Sequence, residues 1–140
     1  MYVGPLVKRN LFGLTLVVTP GIQAQEYADR RSNLAALLPK GAIAILPSAD
    51  TKYRSGAVFY EFHQEPNFLY LTGFNEPDAV AVIQKVGTGS DYNFHLFSRP
   101  KDPRAELWDG ARSGEQAVLD VFNADEVFLL SSPAAPFADS

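Results

Sequence analysis

The sequence predicts an α/β domain, because short apolar runs alternate along it with stretches of helical periodicity. The chain has 140 residues, of which 46% are apolar and 20% are charged, so it is long enough to bury a core of its own. The apolar runs that we interpret as strands are 42–46, 79–83, 92–98 and 126–130, and the helical stretches are 26–38 and 113–123. We expect one folded domain.

The charge and the reactive side chains exclude several classes of function. The formal net charge is −4, and the Lys and Arg residues are dispersed, which argues against a nucleic-acid-binding protein. The chain has no Cys, so it has no disulfide scaffold, thiol nucleophile or thiolate zinc site. It contains no glycine-rich phosphate loop, HExxH or GxSxG motif. No set of residues in it predicts a catalytic centre.

Residues 1–25 differ from the rest of the chain. Lys8 and Arg9 precede the apolar run 11–18, which is too short to span a bilayer, since a spanning helix needs about 20 residues. An extended arm, a signal peptide and a mitochondrial presequence all remain open for this stretch. We therefore divide the chain into an arm or targeting remnant, 1–18, and a domain, 19–140.

The first helix, 26–38, is predicted to pack through Tyr27, Leu34, Leu37 and Leu38. Arg30 and Arg31 are typical of a solvated helix face, with a phosphate contact as the weaker alternative. Pro39 and Gly41 end this helix. The run 42–46 that follows is continuously apolar, which predicts a strand buried on both faces.

Residues 59–78 are dense in aromatic side chains. The segment 67–72 alternates Phe68, Tyr70 and Thr72 with leucines, which predicts a strand. With 79–83 and 92–98 it would form a three-stranded meander. Glu61, His63 and Glu65 would share one face of an extended chain, so a metal site there is an alternative, although a structural role for His63 is preferred.

The segment 99–112 is a charged loop that contains the only tryptophan, Trp108. Such an anchor often marks an interface or a pocket wall, and it can equally pin a loop to its own domain. Ser113, with Gln116 three residues later, is typical of a capping box for the second helix, and Asn123 suits its end. Ser132 followed by Pro133 predicts another helix start. A domain that closes on a helix start suggests that the chain is incomplete at its C-terminal end.

Several spaced motifs resemble the N-terminal domain of aminopeptidase P, the Xaa-Pro aminopeptidase family, over about residues 19–130. The motifs are TPGI (19–22), EY with RR (26–27 and 30–31), FHQ (62–64), NFLYLTGF (67–74), EPD (76–78), and Asp102 with ELWDG (106–110) and RSG (112–114). Of these, TPGI and FHQ look most like the mitochondrial, intermediate-cleaving branch of the family.

This resemblance implies a mixed β-sheet flanked by helices, of the creatinase/aminopeptidase P N-terminal-domain type. It implies a two-domain parent whose C-terminal pita-bread domain binds two manganese ions and removes residues that precede proline. Those ligands fall on no residue of this chain, so the resemblance implies no cofactor and no catalytic residue here. The tryptophan of the family's ELW motif reaches a substrate pocket in some members, which makes Trp108 the candidate pocket or interface residue.

The resulting prediction is a non-catalytic domain or fragment of a manganese-dependent Xaa-Pro metalloaminopeptidase. It would support oligomer assembly and substrate access, with the catalytic domain or full-length subunits as partners, and it would bind neither nucleic acid nor membrane. The resemblance implies a mitochondrial location, with the cytoplasm as the alternative. A standalone binding module without peptidase activity is the alternative function.

Two departures from the family pattern bear on stability. Gln23 stands where Ser or Thr is usual before the first helix, which predicts a weak cap. The missing continuation predicts an unpaired sheet edge and marginal stability.

Overall fold

The computed structural model describes residues 17–19, 22–56 and 58–130. The arm or targeting prediction for 1–18, apart from strand residues 17 and 18, and the predicted helix start at Ser132 lie outside these residues. The strands are β1 (Val17–Thr19), β2 (Ile22–Gln23), β3 (Ile43–Pro47), β4 (Tyr53–Ser55), β5 (Val58–Phe59), β6 (Val80–Lys85), β7 (Tyr92–Ser98) and β8 (Glu126–Leu129). The helices are α1 (Ala24–Leu37), α2 (Pro66–Thr72), α3 (Pro103–Asp109) and α4 (Glu115–Phe122).

A four-stranded mixed sheet in the order β3-β6-β7-β8 forms the centre of the domain. β3 and β7 both run antiparallel to β6, while β8 runs parallel to β7 because α3 and α4 return the chain between them. The strands at 43–47, 80–85, 92–98 and 126–129 confirm the predicted runs, and the mixed sheet with helices confirms the fold class. Two separate hairpins, β1-β2 and β4-β5, complete the described strands.

The hydrophobic core lies on one face of this sheet. Alternate residues of β6 and β7, among them Ile83 and Phe94, are fully buried there. The helices contribute Phe68, Phe74 and Val118 to the same cluster. Burial of side chains of this size stabilises a fold by about 1.5–3 kcal/mol each.

The opposite face of the sheet is open to solvent in the described part of the chain. Ile43 and Ile45 on β3 are 53% and 67% exposed, and Phe128 on β8 is 43% exposed. The prediction that 42–46 is buried on both faces was therefore wrong. β3 is an edge strand with only its Ala44 and Leu46 side packed against the core. A continuous apolar run does not distinguish a central strand from an edge strand whose outer face is uncovered.

The predicted strand 67–72 is helix α2, so the predicted meander was also wrong. Pro66 opens the helix, and the Glu65 carboxylate accepts a hydrogen bond from the Phe68 amide at 2.6 Å. Gly73 ends it in the left-handed conformation, with φ of 70°. Only Phe68, Leu71 and Thr72 of this helix are buried, at a spacing that fits a helix. In so short an apolar run, the strand and helix patterns overlap.

Helix α1 confirms the predicted first helix and its weak start, since Gln23 makes no side-chain cap. Tyr27 is buried as expected and Leu34 packs against the core, but Leu37 is 84% exposed. Glu26 and Arg30 form the ion pair expected one turn apart. The apolar stripe was therefore placed too far toward the end of the helix.

The second predicted helix is α4, and its C-terminal signal is confirmed, because Asn123 adopts a left-handed conformation with φ of 56°. The capping box is wrong. Gly114 is the N-cap residue, and it makes no side-chain hydrogen bond. Ser113 instead donates from its hydroxyl to the Glu76 carboxylate, a residue far away in sequence that local spacing does not indicate.

Candidate functional site

The segment 99–112, which we call the Trp108 segment, contains a helix rather than only the predicted charged loop. Asp102 begins α3 by accepting hydrogen bonds from the amides of Arg104 and Ala105, at 3.0 and 3.3 Å. Pro103 follows at the first helical position, where its missing N–H costs nothing. The sequence Asp-Pro therefore predicts this helix start on local chemistry alone.

Hydrogen bonds fix the end of the Trp108 segment, both to the rest of the segment and to the turn at 75–78. The Arg112 amide donates to Glu106 Oε1 at 3.2 Å, which closes the segment on its own helix. Arg112 Nη1 donates to the carbonyl of Pro100 at 2.9 Å, which joins the two ends of the segment. The Ser113 amide donates to Glu76 Oε1 at 2.8 Å. These contacts give α3 a defined position relative to the turn at 75–78.

Trp108 and its neighbour Leu107 project from this anchored helix into solvent. Trp108 is 83% exposed and Leu107 is 82% exposed. Trp108 therefore does not pin the segment to the core, which was one of its two interpretations. Two large apolar side chains side by side on an exposed helix are typical of a surface that another protein element covers.

Gln64, from the FHQ motif, positions the base of this region. Its Oε1 accepts from the amides of Ala49 and Glu65, at 2.8 and 2.9 Å. Its Nε2 donates to the carbonyls of Phe74 and Glu76, at 3.1 and 2.9 Å. One side chain thus joins three segments and holds the backbone of Glu76, whose carboxylate accepts the hydrogen bonds from Ser113. Sequence reasoning used Gln64 only as part of a motif and missed this role.

Arg31 is the second residue that sequence reasoning missed, because it was assigned to a solvated face. It is fully buried. It donates to the carbonyls of Leu71 and Phe122 at 2.9 and 3.4 Å and to the Tyr92 hydroxyl at 3.3 Å. Its guanidinium also lies 4.2 Å from the centre of the Phe94 ring. Burial lowers the pKa of Arg31, and the nearby Tyr92 and Asp125 partly offset that effect.

The alternative metal face does not form. Residues 61–65 lie outside any strand, and Glu65 is occupied as the cap of α2. Glu61 and His63 are both exposed, and the structural role preferred for His63 stays a prediction. In the described ranges, no group of three or more His, Asp or Glu side chains could hold a metal ion. The described residues therefore do not fit a manganese centre, and no reaction step on a metal is assigned to them.

Comparison with known proteins places the chain in a family. Residues 27–138 match the sequence profile of the aminopeptidase P N-terminal domain, and the chain belongs to that family. It is 48% identical over 110 residues to intermediate cleaving peptidase 55 of Saccharomyces cerevisiae, a match that covers 78% of this chain and 22% of the yeast protein. It is 37% identical over 114 residues to mitochondrial intermediate cleaving peptidase 55 of Arabidopsis thaliana, covering 81% of this chain and 22% of that protein.

The solved structures agree with this assignment. The crystal structure of the yeast peptidase lacking its N-terminal 58 residues superposes with a TM-score of 0.72 at 41% identity, over 80% of this chain and 26% of that one. The chain thus spans about a quarter of the length of its relatives. None of the helices in the described part of the chain is long and apolar enough to cross a membrane.

Proposed function

We propose that this chain serves as the non-catalytic N-terminal domain of a manganese-dependent Xaa-Pro metalloaminopeptidase. It catalyses no reaction itself but aids oligomer assembly and the access of substrate to the catalytic domain. In this proposal 19–140 is the domain, and 1–18 is an arm or targeting remnant. The metal ligands and catalytic groups belong to a pita-bread domain, and the location is mitochondrial, as for the relative from Arabidopsis thaliana. Membership of the family and the 22% share of the yeast protein support this division of labour.

The observation that carries the proposal is the exposure of Trp108 on an anchored helix. Truncating a buried aromatic anchor of an interface typically costs about 2 kcal/mol or more. A segment whose backbone is held in place before binding loses less conformational freedom when it is covered. Asp102, Glu106 and Arg112 hold the backbone around Trp108 in this way. Trp108 therefore suits contact with a catalytic domain or with another subunit of a homo-oligomer.

The open face of the sheet supports the same conclusion at a larger scale. Ile43, Ile45 and Phe128 are apolar and exposed, and they lie on the face opposite the core. Ile43 and Ile45 lie on one edge strand and Phe128 on the other, and the partly exposed Val80 and Phe97 lie between these edges. Exposed apolar side chains grouped on one face commonly mark a protein contact. A domain that packs against the remainder of a longer peptidase would have this feature.

A chimaera of the yeast peptidase tests the proposal. Residues 22–130 of this chain replace the matched segment, and we expect the chimaera to keep the peptidase activity and the oligomeric state of the yeast protein. Trp108→Ala in the chimaera should lower kcat/KM at least about tenfold or dissociate the oligomer. Leu37→Ala is the matched control, since Leu37 is 84% exposed on α1 and lies outside the Trp108 segment.

The alternative function is a standalone binding module without peptidase activity. A chimaera that folds but neither cleaves nor assembles would favour this alternative. Equal activity of the Trp108→Ala and Leu37→Ala chimaeras, with the same oligomeric state, would remove Trp108 from the proposal.

A further inference from the structure

A groove of about 710 Å³ lies between the β4-β5 hairpin region, the turn at 75–78 and the base of the Trp108 segment. Its size is within the range of pockets that bind small ligands. Tyr53, Phe59 and Phe62 supply aromatic walls on one side, and Arg99 and Pro100 lie on another. Neither Leu107 nor Trp108 lines it, so the groove is separate from the exposed helix surface.

The acidic residues of the groove are largely occupied by the chain itself. Glu76 accepts hydrogen bonds from the amide and the hydroxyl of Ser113. Asp102 caps α3 through the amides of Arg104 and Ala105. Asp78, which is about half exposed, lies beside Arg99 with 3.7 Å between Oδ2 and Nη1, longer than a hydrogen bond. Asp78 and Arg99 therefore form an ion pair without a hydrogen bond, which a ligand carboxylate with better geometry can replace.

Arg99 is a largely buried cation with unused hydrogen-bonding capacity. Its side chain is 18% exposed. Its Nε is inaccessible to solvent and has no hydrogen-bond acceptor among the described residues. A buried donor without an acceptor is unfavourable, and the planar fork of a guanidinium matches a carboxylate better than any other partner.

We propose that this groove binds a carboxylate that carries an apolar group. The carboxylate lies on the guanidinium of Arg99 and displaces Asp78, and the apolar group packs against Phe59 and Phe62. The ligand is the C-terminal end of a peptide or a free organic acid, since both offer this chemistry. The groove shares the base of the Trp108 segment but not Leu107 or Trp108, and its test measures ligand binding to this chain alone, so the result does not depend on the proposed peptidase role.

Nuclear magnetic resonance titration of the 140-residue chain tests the site. The probes are N-acetyl-Ala-Ala-Phe, its C-terminal amide and 3-phenylpropionate. The signals are those of Arg99 Nε–H and of the backbone amides in 75–78 and 99–102 other than the prolines at 77 and 100. We expect saturable shifts with the two acids and at least about tenfold weaker binding of the amide. Tighter binding of the tripeptide than of 3-phenylpropionate assigns the ligand to peptides, and the reverse order assigns it to free acids.

Variants separate the role of Arg99 from general charge. Arg99→Gln should abolish the shifts, and Arg104→Gln, at an exposed position of α3 outside the groove, should leave them unchanged. Arg99→Lys keeps the charge without the fork and should weaken binding several-fold, which gives an answer even if Arg99→Gln does not fold. Equal binding of acid and amide, unchanged affinity in a folded Arg99 variant, or tighter binding of 3-phenylpropylamine than of 3-phenylpropionate would overturn the proposal.

Discussion

Gln64 uses both ends of its amide group within the fold. Its oxygen faces two backbone amides, and its nitrogen faces two backbone carbonyls. The hydrogen-bond pattern therefore depends on an amide, and neither a carboxylate nor an apolar side chain of the same size can reproduce it. The residue connects the loop after β3 with the turn that carries Glu76.

We predict that Gln64→Glu destabilises the domain by about 2 kcal/mol or more, because a carboxylate oxygen would face the carbonyls of Phe74 and Glu76. Urea unfolding followed by circular dichroism measures the change. Gln84→Glu, on an exposed position of β6, is the matched control and should change stability by less than about 0.5 kcal/mol. Equal unfolding midpoints for the two variants would contradict the role assigned to Gln64.

Arg31 shows what the sequence could not reveal at this scale. Two adjacent arginines on a helix are usually solvated, and only the positions of Leu71, Tyr92 and Phe122 around Arg31 explain its burial. Those partners come from three separate elements, so no local pattern predicts them. Trp108, in contrast, was found as a candidate, because it is the only tryptophan in a charged segment and because that segment resembles the family's ELW motif.

Helix α2 is the element at which sequence pattern and structure disagree most. Apolar residues at 68–72 satisfy a strand pattern and a short helix pattern equally well. The deciding features are the cap at Glu65, the proline at 66 and the left-handed Gly73, all of which were visible in the sequence. Turn and cap chemistry outweighed alternation here, whereas β6 and β7 follow their alternation closely.

We predict that Gly73→Ala destabilises the domain by about 1–2 kcal/mol, because a residue with a Cβ is strained at a φ of 70°. Gly89→Ala is the control, since an added Cβ there meets no atom within 4 Å. Thermal unfolding of both variants measures the difference. Gly73→Ala with a midpoint as high as that of Gly89→Ala would show that the end of α2 tolerates another conformation.

The described part of the chain has a covered and an uncovered side. Helices α1, α2 and α4 contribute to the core on one face of the sheet, and Ile43, Ile45 and Phe128 are exposed on the other. The strand positions were predictable from periodicity, but the coverage of each face was not, because coverage depends on elements distant in sequence. An uncovered apolar face and an exposed tryptophan are both consistent with a domain that needs a larger partner.

The central claim is that Trp108 is covered when this domain meets a catalytic region, and fluorine NMR tests it directly. Trp108 is the only tryptophan, so the chain labelled with 5-fluorotryptophan gives one resonance from it. We expect this resonance to shift and broaden saturably on addition of the catalytic region of the yeast peptidase, because a highly exposed ring becomes buried. Two results would contradict this claim. One is an unchanged resonance when light scattering shows that the two proteins form a complex, and the other is the absence of a complex at high micromolar concentration.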